Sequence, residues 1–299
     1  MSSPFAVLAP DRGLLRISGA DARSFLQGII TNDIEKASPE RAIWSAFLTP
    51  QGKYLHDFFI VEQEGALLLE TEAERRAELA QRLRPYRLRS KVEIEPEVPD
   101  LLVALAWGEG TAEALGLEPE PGVAVPFAGG LAYMDPRLPE AGARLLLPAA
   151  SAKTALQEAG FRLGVREQHE ALRISLGLPA GARDMEVEKA ILLENGFDEL
   201  GGVDWRKGCY LGQELTARTK YRGLVKKRLL PVRYEGPPLK PGTPIMRGER
   251  ILGEIRSSLE GQALALLRLE ALEGPLEADG RSVSPTRPAW VRLQAEEKA

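Results

Sequence analysis

The stretch "LLRISGADARSFLQGIITNDI", Leu14 to Ile34, decides the fold class. Its first residues read as a short strand, and after Gly19 the apolar residues Ala22, Phe25, Leu26, Ile29 and Ile30 fall on one face at helical spacing. Asp21 is placed as a cap or first-turn acid. Directly beyond lie "AIWSAFLT", "KYLHDFFIVE" and "ALLLET", strand-like segments separated by the turn-rich "PQG" and by "QEG", so consecutive antiparallel pairing is expected. A helix from about Glu72 to Leu83, ending near Pro85, closes this round.

A second round follows with "KVEIE", "LLVALAW", "LAYMD" and "ARLLLP", then a helix opened by Ser151 in "SAKTALQEAG" and another over "REQHEALRISLG". Two successive mixtures of antiparallel strands and covering helices predict an α+β fold, with two related split βαβ units as one form of it, in place of a parallel doubly wound sheet. No dinucleotide-binding glycine fingerprint is present. After about Leu224, short apolar segments such as "RLLPVRY", "TPIMRG", "ERILGEIRSS" and "QALALLRLEA" alternate with Gly and Pro turns, the pattern of a small antiparallel barrel or sandwich. The boundaries read from these changes are 1–95, 96–223 and 224–299, with the first two portions free to exchange segments. The final "EEKA" is read as a frayed polar end.

Composition narrows the function. With 44% hydrophobic residues in 299, the chain can fill two or three cores. A net charge of −4 excludes a protein coated for nucleic acid and leaves any polyanion site local. One cysteine cannot close an internal disulfide, the N-terminus reads as no secretory leader, and no apolar run reaches the roughly 18 to 20 residues of a spanning helix. A soluble cytoplasmic protein without membrane contact is the expectation. One Cys and two His fall short of a closed metal site. His56, in a strand, and His169, in a helix, have no partner at ligand spacing and are expected to be structural or solvent-facing.

The chemistry gathers in "KGCYLGQELTARTKYRG", Lys207 to Gly223, which holds the sole cysteine. Gly208 and Gly212 bracket Cys209, and "QELTART" can open a short helix after Gly212. Arg206, Lys207, Arg218, Lys220 and Arg222 lie close in sequence, and cations with a helix N-terminus favour thiolate over thiol. Free cysteine is also among the most buried and inert residue types, so the residues alone leave both readings open. Between Arg218 and Arg233 stand seven Lys or Arg and no acid, either a solvated edge or an RNA contact.

"KGCYLGQE" matches the K-G-C-[FY]-x-G-Q-E signature of the YgfZ family of folate-binding proteins, which is related to the aminomethyltransferase, or T-protein, of the glycine cleavage system. The resemblance continues through "LRISGADARSFLQGIITNDI", "LTPQGKYLHDFF" and "RDMEVEKAILLENGFDELGGVDWRKGCYLGQELTARTKYRGLVKKRLLPVR". It is weakest between about residues 95 and 160. It implies two ferredoxin-like α+β portions and a C-terminal β-barrel, three lobes around a central channel that holds tetrahydrofolate or a derivative. It also implies a role in assembly or repair of iron-sulfur proteins, with tRNA modification supported through them.

On this resemblance Glu194 is the pterin anchor, since one carboxylate can accept both adjacent N–H groups of the ring. Phe197, Trp205 and Tyr210 are candidate walls, and Arg218 and Arg222 candidate clamps for the anionic tail. Cys209 is the reactive thiol or a shared iron ligand, with a transient iron-sulfur cluster held jointly with a partner; Lys207, Gln213 and Glu214 complete the catalytic set. Two departures stand out. Gly196 replaces the Asn of many relatives, and the cysteine motif differs from the F-I-G-R-E typical of true aminomethyltransferases. A folate-dependent one-carbon transferase, with Asp57 or Asp198 as acid–base group, is the first alternative, and a tRNA-binding module the second.

Overall fold

Three sheets organise the computed structural model, which describes residues 4–223 and 225–292. β1 (Phe5–Leu8), β2 (Arg12–Ser18) and α1 (Ala22–Gln27) come first. β3 (Ile43–Leu48), β4 (Tyr54–Gln63), β5 (Ala66–Glu72), α2 (Arg76–Arg87) and β6 (Glu93–Glu95) follow. β4 and β5 pair as a hairpin, and β2 inserts between β5 and β6 with Leu15 opposite Leu69, so the order is β3-β4-β5-β2-β6.

Local details depart from the sequence pattern. α1 stops at Gln27, and Ile30 leaves the helix to bridge Phe47, although Ile29 and Ile30 are buried as their spacing required. Asp21 makes no side-chain cap; its carboxylate accepts the Lys91 amide at 2.7 Å. α2 runs through Pro85 to Arg87, because a proline in a last turn costs one ladder bond without blocking the turns before it.

The second sheet comprises β7 (Leu101–Trp107), β8 (Ala124–Phe127), β9 (Gly130–Met134), β10 (Ala143–Pro148) and β11 (Arg162–Leu163), joined by β1 in the order β11-β1-β7-β10-β9-β8. α3 (Thr111–Leu115) and α4 (Ala152–Glu158) bury Leu115, Ala152 and Leu156 with Ala104, Leu145 and Leu147 of this sheet. β8 escapes a sequence reading because it contains Pro126, which an edge strand tolerates.

A further set of elements comprises α5 (Arg166–Leu176), α6 (Gly181–Asp184), α7 (Gln213–Tyr221) and six strands: β12 (Lys227–Arg233), β13 (Pro244–Arg247), β14 (Arg250–Leu259), β15 (Gln262–Arg268), β16 (Leu276–Ala278) and β17 (Arg281–Pro285). The strands form a closed barrel, β12-β15-β14-β13-β16-β17, filled by Leu230, Val232, Ile245, Ile255 and Leu267 among others. The expected α+β class with a C-terminal antiparallel barrel is the observed one. The "EEKA" end lies outside the described residues.

The chain divides into two compact units: Met1–Leu48, Leu55–His169 and Gly201–Leu211 form one, and Thr49–Tyr54, Glu170–Leu200 and Gly212–Ala299 the other. Within the first, Glu70 of β5 accepts from Arg12 Nε at 2.9 Å, Arg144 Nε at 2.8 Å and Tyr133 Oη at 2.7 Å. Arg144 also reaches Asp135 at 3.3 Å and lies 3.9 Å from the Phe59 ring centroid. Burial alone would raise the Glu70 pKa; Arg144 and Arg12 outweigh it and hold the carboxyl well below the usual range. Within the second, Ile174 of α5 packs on Leu229, Leu264 and Leu266 of the barrel wall. Arg173 joins Glu170 to Asp184, and Asp184 accepts the Ser257 amide of β14 at 3.0 Å.

Candidate functional site: the cysteine loop and the Glu194 turn

The first unit carries residues 201–211, a loop anchored on the turn that follows α1. Thr31 Oγ1 donates to the Gly202 carbonyl at 2.7 Å, and Asn32 Nδ2 donates to the Gly201 and Trp44 carbonyls at 2.8 Å each. The Asp204 amide donates to the Thr31 carbonyl at 3.0 Å, and the Leu211 amide to the Gly28 carbonyl at 3.0 Å. Lys207 extends its ammonium to the Ile30 carbonyl and stands 5.2 Å from the Tyr210 ring. Burial pushes the Lys207 pKa down to about 8, with Asp33 and Asp204 opposing the fall.

Between these fixed points Gly208 adopts φ +91°, and Cys209 projects as an exposed free thiol. Tyr210 is buried and Trp205 half-buried. The anchoring residues Thr31 and Asn32, and Asp33 whose charge acts on Lys207, are not singled out by the sequence reading. Their signal is legible in retrospect: three polar residues interrupting an apolar run immediately after a helix.

The second unit carries Glu194 on a one-turn 3-10 helix, Leu192–Asn195. Leu192, Leu193 and Asn195 are buried and leave Glu194 half-buried. Burial raises its pKa, with Lys227, Lys53 and Arg228 opposing, and its carboxylate has no hydrogen bond among the described residues. Phe197 is fully buried, and Gly196 has φ +77°. A Cβ at Gly196 would lie 2.6 Å from the Trp290 ring, so this chain's glycine is what admits the indole, whose Nε1 donates to the Leu176 carbonyl at 2.7 Å.

Gln213 and Glu214 form the first turn of α7, after Gly212 at φ +77°. Gly52 of the "PQG" turn seats against that start: a Cβ there would meet the Gly212 carbonyl and Leu215 Cβ, each at 2.6 Å. Arg218 and Arg222 are exposed, whereas Lys220 pairs with Asp198 at 2.5 Å and the buried Arg228 pairs with Glu199. The acid-free stretch is therefore not one continuous cationic surface. Asp57, in the other unit, is buried and accepts from Trp44 Nε1 at 3.1 Å.

Trp205, Lys207, Cys209 and Tyr210 thus lie together in one unit, and Glu194, Phe197, Gln213, Glu214, Arg218 and Arg222 in the other. Both histidines are buried. Burial and Arg75 push the His56 pKa down to about 3, while His169 packs edge-on against Trp107 at 5.5 Å. Among the described residues no group of three or more His, Cys, Asp or Glu is placed to hold a metal ion.

Comparison with known proteins adds to this geometry. The profile of the CAF17 C-terminal β-barrel domain matches residues 226–293. The Homo sapiens protein named iron-sulfur cluster assembly factor IBA57, mitochondrial, is 34% identical over 285 residues, covering 89% of this chain and 78% of that protein. Its Mus musculus counterpart is 33% identical, covering 93% and 83%. The Neurospora crassa homolog is 35% identical over 75% of this chain but only 53% of its own length, so the chain spans about half of that relative. Glycine cleavage system aminomethyltransferase T from Bartonella henselae superposes with a TM-score of 0.78 over 98% of this chain and 87% of that one; at 13% identity this is a likeness of fold.

These relatives correct one expectation and refine another. They are named mitochondrial, which overturns the cytoplasmic expectation; a single unpaired cysteine fits any reducing compartment and does not distinguish one from another. The YgfZ resemblance stands in its coarser form, an iron-sulfur assembly family sharing the aminomethyltransferase fold. By sequence, over most of its length, the chain belongs to the family of the iron-sulfur cluster assembly factor IBA57.

Proposed function

We propose that the chain is an iron-sulfur cluster assembly factor that binds tetrahydrofolate or a derivative and offers Cys209 as its working thiol. The observation that carries the reading is the exposure of the only sulfhydryl on a loop tied down on both sides. A thiolate is a soft ligand for iron and a competent sulfur acceptor. One cysteine cannot hold a cluster, so the remaining ligands come from a partner assembly or client protein, or from a second thiol. Support for tRNA modification would then be indirect, through client enzymes.

The folate reading rests on Glu194. A half-buried carboxylate without a hydrogen bond is the acceptor that a pterin edge, with two parallel N–H donors, would satisfy. Arg218 and Arg222, exposed on and after α7, suit the glutamate tail. Bound folate supplies one-carbon chemistry; this chain's residues would bind and orient it. Transfer catalysis is disfavoured because Asp57 and Asp198 already serve Trp44 and Lys220.

The deciding experiment is complementation of cells lacking the native gene. Cys209→Ser protein should fold normally and fail to restore cluster-enzyme activity; full restoration would remove the thiol from the reading. Calorimetric titration with tetrahydrofolate tests the ligand separately, and absence of binding would leave a folate-independent assembly factor. A lipoyl-protein aminomethyl-transfer assay should show no turnover.

A further inference from the structure

The C-terminal end of α2 and the loop after it, "RLRPYRLRSK" from Arg82 to Lys91, carry Arg82, Arg84, Arg87, Arg89 and Lys91 with no acid between Glu78 and Glu93. Arg84 to Arg89 are six consecutive exposed residues. Arg82 is held by Glu78 at 2.7 Å. No carboxylate lies within ion-pairing distance of Arg84, Arg87, Arg89 or Lys91 among the described residues. Of the acids that contact this region, Asp21 accepts the Lys91 backbone amide and Glu97 pairs with Arg76.

At the centre of these cations stands Leu88, 86% exposed, with φ +45°. A leucine in the left-handed region is strained, and an exposed one gains no burial in return. Tyr86, 36% exposed, rests its ring edge-on against Phe47 at 5.8 Å, which fixes the loop's root. The helix dipole accounts for arginines in the last turn of α2. It does not account for Arg89, Lys91 or the projecting leucine.

We propose that this loop is a contact site for an anionic lipid surface, with the cations facing phosphate headgroups and Leu88 entering the acyl boundary. Several unpaired cations give attraction and one aliphatic side chain gives insertion, while Tyr86 suits the interfacial level. A protruding aliphatic residue separates this surface from a nucleic-acid site, where phosphate and base stacking offer leucine little. The chain's net charge of −4 makes the attraction local and so orients the protein. No helix of the described residues is long and apolar enough to cross a membrane, which is a statement about spanning and not about surface contact.

Vesicle co-sedimentation of the full chain tests the proposal. Binding is expected to phosphatidylcholine vesicles containing a third phosphatidylglycerol, with little to pure phosphatidylcholine, and should weaken as salt is raised. Since each cation near such a surface contributes about a fivefold factor, Arg84→Glu with Arg89→Glu should cut binding at least tenfold. Leu88→Asp should cut it several-fold while the circular dichroism spectrum stays unchanged. Failure to bind anionic vesicles at low salt overturns the proposal. So does vesicle binding indifferent to both variants, or Leu88→Asp leaving vesicle binding intact while the loop arginines govern binding of a short RNA.

Discussion

Lys207 holds the cysteine loop at one atom. Its ammonium donates to the Ile30 carbonyl, so Lys207→Met should leave the fold intact and loosen the loop. The measurement is the rate at which a disulfide reagent modifies Cys209, expected to change severalfold, against an unchanged melting temperature. Glu194→Gln should weaken folate binding roughly tenfold or more by removing a charged acceptor, with stability unchanged or raised because a desolvated carboxylate is gone. His56 gives a pH signature. Unfolded, it takes a proton near 6.5; folded, only near 3, so stability is full above pH 6.5 and falls as pH drops through that window. His56 should add about 1.4 kcal/mol per pH unit to the slope in mid-window, and His56→Leu should remove that share while leaving the carboxylate contribution below about pH 5, as read by denaturant titration at a series of pH values. As candidates, Cys209 and Glu194 were legible in the sequence because a unique residue and a motif mark them. Thr31 and Asn32 were not, since their partners lie about 170 positions away and no local pattern encodes the pairing.

Elements were legible where periodicity is strong. The β4–β5 hairpin, α4, α5 and α7 follow from apolar spacing and turn residues. What periodicity does not carry is partnership: β1 leaves its neighbour β2 for the second sheet, and β2 pairs with β5, because burial of both faces is settled by the whole fold. Short or proline-bearing strands such as β8 and β11 also lie below the signal. Turn chemistry makes a prediction at this scale. Gly52→Ala places a Cβ against the Gly212 carbonyl at a backbone φ of +80° and should destabilise by about 1–3 kcal/mol in thermal or denaturant unfolding. Thr31→Val removes the donor to Gly202 and should cost about 1–3 kcal/mol while raising protease susceptibility of the cysteine loop.

At the scale of the molecule, each unit contains a buried set of charges whose members satisfy one another. Arg144→Met takes from Glu70 and Asp135 the cation they share, leaving Arg12 on the first and Arg137 on the second, and should cost about 3 kcal/mol, visible as a fall in melting temperature. Composition foresaw several cores but not the interleaving by which residues 49–54 and 201–211 each join the unit that does not contain their flanking segments. The barrel in the second unit closes through β12 and β17, where Val232 faces Pro285 and Arg233 faces Ser284. Pro231 and Pro285 offer no amide to that seam, which is completed by the Thr286 amide on the Pro231 carbonyl at 2.8 Å. A cylinder stitched so sparingly along one line has a zip: transient breathing of the staves begins there, and deuterium should enter the amides flanking it before those of the seven-pair ladder on β12's opposite edge.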